Sequence, residues 1–183
     1  LFFVKGTAIF PATAALAWSV LAYVCVDFGF WDKVVSITQA SEPVWRAGAE
    51  VFLAISMLVF TYAYLRLNRW HRNYTFIVVA WLLSLSILLG VVLFDPKIAA
   101  GLARLSFAAT VAAASLVILH LAYKRDDRAI MLIPIWILTI AWLIGCWLTV
   151  TGRLSNDIIQ PALVGGLVLI VLLIAFTILQ NAF

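Results

Sequence analysis

Charge is what this sequence has least of. Only 12 of its 183 residues are Lys or Arg and 8 are Asp or Glu, 11% in all, where soluble domains carry about 25%. Two histidines and two cysteines complete a short list of groups able to do chemistry. Each shortage excludes a class of function. Cys25 and Cys146 have no metal-ligand spacing and both lie in apolar runs, so they read as buried free thiols rather than a disulfide or zinc site. A retinal pigment needs a lysine deep in a helix, whereas Lys5, Lys33, Lys97 and Lys124 all fall at segment ends or in connectors. A bis-histidine haem needs two imidazoles facing each other at membrane depth. His71 lies in a connector and His120 about a turn from the end of a span, where it reads as a packed interfacial histidine. There is no glycine-rich phosphate loop, no Cys-x-x-Cys and no His-Glu-x-x-His. No residue of this segment is assigned to catalysis, and no metal or cofactor is expected.

What the chain has is apolar length. It is 66% hydrophobic with a mean hydropathy of +1.15. A water-soluble fold of this size could not hide that much apolar surface, so a lipid bilayer must cover the remainder. The net charge of +4 is no sign of nucleic-acid binding, because the cations sit in short connectors between apolar runs. Six runs reach about 20 residues, the length that spans a hydrocarbon core as a helix. They are 6–30, 45–65, 75–94, 102–123, 129–151 and 158–183. Continuous runs favour helices over barrel strands, which alternate over about ten residues. The expected fold is an all-α, polytopic transmembrane helix bundle forming a single domain over 1–183. Ser41-Glu42-Pro43, Asp95-Pro96 and Asn156-Asp157 before Pro161 mark helix starts. Pro134 falls inside the fifth run and is expected to kink it.

The connectors orient these spans. Arg66, Arg69 and Arg72 occupy the second and Lys124, Arg125 and Arg128 the fourth, against five cations over the other three (Lys33, Arg46, Lys97, Arg104 and Arg153). Because Lys and Arg concentrate in cytoplasmic loops, RLNRWHRNY (66–74) is placed in the cytoplasm, and both ends of the segment with it. Trp70 and Tyr74 then belong to the inner aromatic belt and Trp147 to the outer one, while Trp136 and Trp142 lie deep enough to fill the core. The fourth span carries Ala108, Ala109, Ala112, Ala113 and Ser115, a small-residue surface expected at the centre of the bundle, with a dimer face as the alternative.

Ionisable groups at membrane depth are expensive to keep and often functional. Asp27, Arg46, Glu50 and Arg104 all lie near the outer ends of their spans. They are the candidate ligand-binding residues, lining an outer polar vestibule. Arg46 and Glu50, four apart, can pair along one helix face. The alternative is that all four snorkel to headgroups or tie helices together.

The stretches FTYAYLRLNRWHRNY, DDRAIMLIPIWILTIAWLIGCWLTVTGRLSN and the terminal GGLVLIVLLIAFTILQNAF resemble the membrane domain of the bacterial seven-transmembrane receptors with diverse intracellular signalling modules. The resemblance implies seven helices, of which these six would be the last, within a longer chain of the bacterial inner membrane whose C-terminus is cytoplasmic. It also implies a linked output: a cyclic-di-GMP synthase or phosphodiesterase, or a histidine kinase. The expected function is a sensory and transducing domain, with a homodimer or other membrane subunits as partners. An accessory subunit of a larger membrane complex is the alternative, and a transporter the next.

Overall fold

A computed structural model describes residues 8–30, 41–67, 72–152 and 159–180. It contains six long helices and, among the described residues, no strand: α1 (Ile9–Asp27), α2 (Glu42–Tyr64), α3 (Arg72–Val91), α4 (Pro96–Tyr123), α5 (Asp127–Val150) and α6 (Ile159–Gln180). All six are long and apolar enough to cross a membrane. The chain is a multi-pass helical membrane protein. Trp18 and Phe52 are exposed within their spans, while Phe28, Trp45, Phe94, Tyr123 and Trp147 are exposed at helix ends. Amphipathic rings prefer such interfacial levels.

The helix starts follow local chemistry. Asp95 accepts from the backbone N–H groups of Lys97 and Ile98, which caps α4 six residues earlier than the apolar run alone indicates. Asp126 caps α5 in the same way, accepting from the N–H of Arg128. Ser41 precedes α2 with Pro43 in its first turn, but its side chain makes no capping bond. Asn156 and Asp157 lie outside the described residues, as do Lys33, Arg69, Trp70, His71 and Arg153. Pro134 sits inside α5 without interrupting it.

Several hydroxyl groups within the spans are satisfied by their own helix. Thr61, Thr110, Ser115, Thr139 and Thr149 each donate to the carbonyl four residues earlier. With no water in a bilayer core, the preceding turn is the nearest acceptor.

The chain divides into two compact units, Leu1–Thr110 and Val111–Phe183, with the boundary inside α4. In the first unit, α1 and α3 pack against α2. Helix α2 is the most enclosed of the six, with 67% of its most apolar stretch buried against 17–28% in the others. Ala47, Val51, Ala54 and Phe60 are almost wholly inaccessible. Tyr62 and Thr75 link the far ends of α2 and α3 through their hydroxyls, 3.1 Å apart. In the second unit, α5 packs on α6. The buried stripe of α4 runs through Ala99, Ala103, Phe107, Val111, Ala114 and Ile118. The expected small-residue centre is therefore corrected: Ala112 and Ala113 are exposed and Ala108, Ala109 and Ser115 half-buried. The neighbouring stripe, half of it alanine as well, is the one that turns inward. Cys25 and Cys146 are free thiols as expected, but half-buried rather than enclosed. His120 is exposed in the last turn of α4.

Candidate functional site: a charged cluster at one end of the first unit

Asp27 is the last residue of α1, Arg46 and Glu50 lie in the second and third turns of α2, and Arg104 in the third turn of α4. Glu50 and Arg104 each stand eight residues from the start of their own helix, about 12 Å along the axis at 1.5 Å per residue. Spans two apart in sequence cross a bilayer in the same direction. Equal distances from the helix starts therefore set Glu50 and Arg104 at matching depth.

The structure brings all four side chains into ion pairs, but not along one helix. Arg46 donates through Nη2 to Oδ1 of Asp27 on α1. Arg104 donates twice to Glu50, Nε to Oε2 at 2.7 Å and Nη2 to Oε1 at 2.7 Å. The expected Arg46–Glu50 pairing is thus corrected. Adjacent turns of α2 send one partner to α1 and the other to α4, and each makes a bond between helices. Spacing of i, i+4 places two residues on one face but does not decide which neighbour reaches them first. The Arg104–Glu50 pair is the parallel two-bond geometry that a planar guanidinium makes with a carboxylate, stronger and more directional than a single contact.

Burial is lopsided within each pair. The carboxylates are enclosed, with side-chain exposure of 5% for Asp27 and 7% for Glu50. The guanidinium groups are open, at 42% for Arg46 and 59% for Arg104. Helix side chains lean toward the N-terminus, so both arginines extend toward the ends where α2 and α4 begin. The acids form the closed floor of the cluster and the cations its accessible rim.

Helix α2, 23 residues long, measures about 34 Å, against a hydrocarbon core of about 30 Å. Glu50 stands about 12 Å along α2 from its start, within the span, where a carboxylate is kept only with a partner. Among the described residues, no three His, Cys, Asp or Glu side chains gather at metal-binding distance. The arrangement can hold helices together and present positive charge.

No family model, no curated protein and no solved structure matches this chain.

Two features escaped the sequence reading. Buried Trp136 donates its indole N–H to Oγ of Ser115 at 2.8 Å, and half-buried Trp142 donates to the backbone carbonyl of Leu163 at 2.6 Å. The depth of both indoles was the available signal, because a buried Trp N–H needs an acceptor. The second feature is a pair of arginines with left-handed backbone, Arg66 (φ 48) just after α2 and Arg125 (φ 57) just after α4. Both close the same short string, Ala-Tyr-x-Arg, at 63–66 and 122–125. After α4 the motif is a Schellman turn: the N–H of Arg125 reaches Ala122 O and that of Asp126 reaches Leu121 O.

Proposed function

We propose that this chain is the membrane-embedded sensory and transducing domain of a bacterial signalling receptor. It passes an external or membrane signal to a cytoplasmic output module, one that turns over cyclic-di-GMP or acts as a histidine kinase. The observation that carries the proposal is the Glu50–Arg104 pair. A carboxylate held at membrane depth by a guanidinium from another helix is an expensive arrangement, and such groups mark functional positions by default. It joins two spans at an end where a ligand or neighbouring domain can compete for the arginine. Helix α4 then continues without a break from Arg104 into the second unit. Packed helices move between discrete arrangements, so weakening or strengthening one such pair can select between two positions of α4.

The central test is Glu50→Gln in the intact gene product. The variant is expected to insert and accumulate normally, because the partner left behind, Arg104, is open enough to reach water. Its cyclic-di-GMP level or autophosphorylation should differ from wild type under the same conditions. Normal accumulation with unaltered output rejects the sensory role and leaves the pair a helix tie, the role expected in an accessory subunit. Orientation is tested separately by cysteine labelling in intact cells. Positions 69 and 125 should be protected from an impermeant reagent, while 95 and 153 should react.

A further inference from the structure

We propose that Arg128 is a latch for the C-terminal end of α6. Its guanidinium donates to carbonyl groups of that helix's last turn in one of two positions that α6 takes against α5. Arg128 lies in the first turn of α5. Its Nη1 is buried and meets no hydrogen-bond acceptor among the described residues. Neither neighbouring acid serves it: Asp126 accepts from the backbone N–H of Arg128, and Asp127 is exposed. An enclosed cationic donor without an acceptor is costly, so an arrangement that supplies one is favoured.

The register of α5 on α6 selects the acceptor. Trp142 donates to the carbonyl of Leu163, and a side chain at Gly166 would meet the same indole, so Trp142 stands level with 163–166. Arg128 lies fourteen residues before Trp142, about 21 Å along the axis. Fourteen residues on from 163–166, the antiparallel neighbour is 177–180, the last turn of α6. At seven-residue steps Arg128, Ile135 and Trp142 fall within about 40° of one another, so Arg128 continues the stripe on which Trp142 meets α6. Its side chain leans toward the start of α5. The carbonyl groups that end α6 point the same way and have no helix N–H beyond them among the described residues. Helix α6 carries no basic residue in its last turn, so the negative end of its dipole has no cation of its own.

The opposite end of this seam is already fastened. Trp142 holds the second turn of α6 at Leu163, with its indole packed where Gly166 has no side chain. Helix α6 therefore pivots at Trp142, and its C-terminal end travels furthest. Over about 21 Å a tilt of about 5° displaces that end by about 2 Å, enough to make or break a hydrogen bond. Packed helices take up discrete positions, so the latch is either made or open. The latch stands on the packing of α5 and α6, and only its use in controlling output rests on the signalling reading.

The test is the distance between spin labels at Met131 and Phe176, exposed positions level with each other near the Arg128 end. It uses the purified chain in phosphatidylcholine nanodiscs, with Cys25 and Cys146 replaced by alanine. Labels at exposed Ile144 and Ala162 report the Trp142 end. The 131–176 pair should show two distances and the 144–162 pair one. Arg128→Gln should deplete the shorter 131–176 distance about tenfold, the effect of one charged hydrogen bond, and Arg128→Lys should restore part of it. The 144–162 distance should stay fixed in both variants. A single 131–176 distance with Arg128 present, or two whose ratio ignores Arg128→Gln, would overturn the latch. So would a rise in thermal stability in Arg128→Gln with unchanged distances, the signature of a buried charge that serves nothing. In the intact gene product, altered distances with unaltered output would keep the latch and reject its use in signalling.

Discussion

The two units of this chain solve the same problem with different chemistry. Both must hold apolar helices together in a solvent as apolar as their own side chains, where burial of Leu against Leu gives little preference for helix over lipid. The first unit uses charge: Arg46 with Asp27 and Arg104 with Glu50, bonds between three helices. The second uses neutral donors, the indoles of Trp136 and Trp142 on a hydroxyl and a backbone carbonyl. It also uses close approach, with Gly145 and Gly166 facing Leu163 and Trp142. A neutral bond in a membrane contributes about 0.6 kcal/mol on average and at most about 2. A broken charged pair that leaves one ion enclosed costs several times more. The first unit is thus sensitive to the loss of a single partner, while the second is held by smaller increments.

The largest effect should come from Arg104→Gln, which leaves Glu50 charged and enclosed with no fork to bind it. Breaking a buried pair costs about 3–5 kcal/mol, and the openness of the arginine puts this one near the lower figure. Much reduced yield, or a melting point lowered by ten degrees or more in detergent, is expected. Glu50→Gln should lose far less, because its orphan is the exposed partner. The same asymmetry is expected between Arg46→Gln, which strands Asp27, and Asp27→Asn, which does not. Equal losses from both members of a pair would show that packing at these positions, not charge burial, decides stability.

In the second unit Trp136→Phe keeps most of the ring and removes the donor to Ser115, so a loss of about 1 kcal/mol is expected. Ser115→Ala should cost slightly more, since it leaves a buried N–H without its acceptor. The double variant has no indole N–H left to satisfy and should resemble Trp136→Phe rather than Ser115→Ala, and a thermal-unfolding cycle measures this directly. Gly166→Ala probes the other device of this unit. Its new methyl would lie 3.2 Å from Cδ1 of Trp142, so the indole must give by a few tenths of an ångström while anchored to Leu163. A loss of roughly 1 kcal/mol is expected, and it should shrink in Trp142→Phe, where no indole N–H holds the ring in place. Additive losses would place the strain elsewhere.

How far the sequence foretold these differences depends on the range of the interaction. Span number and helix starts were legible because they follow from local runs and caps such as Asp95, read within a few residues. The four members of the charged cluster were legible as well, because ionisable side chains stand out in an apolar run. Their partners were not. Arg46 and Glu50 look like a pair when only one helix is considered, and the choice of Asp27 and Arg104 depends on where α1 and α4 lie. The small-residue surface failed for a related reason. Ala112 and Ala113 form a face of the isolated helix, while the stripe of Phe107, Val111, Ala114 and Ile118 beside it is the one that turns inward. Arg66 and Arg125 were read for their charge, and the backbone they occupy was invisible without the turn.

Those two arginines give the smallest and most discriminating prediction. Four described residues adopt left-handed backbone just after a helix: Gly29 after α1, Gly152 after α5, Arg66 after α2 and Arg125 after α4. Consecutive spans alternate in direction, so the glycines close helices at one membrane face and the arginines at the other. Glycine takes this conformation without strain, whereas an ordinary residue pays about 1 kcal/mol. Charge at the arginine face offers a reason for the exception, since a cation both favours the negative end of a helix and fixes the orientation of the spans. Arg125→Gly should relieve about 1 kcal/mol of strain but give back most of it through the greater freedom of glycine when unfolded and the lost helix-end charge. The net change in stability should lie within a few tenths of a kcal/mol. Topology should be retained in the single variant and weakened in Arg66→Gly/Arg125→Gly, read as partial accessibility of a cysteine at position 124 to an impermeant reagent. If instead Arg125→Gly stabilises the protein by a full kcal/mol and the double variant keeps its orientation, the arginines are strained turns with no topological role, and the contrast between the two faces is one of sequence alone.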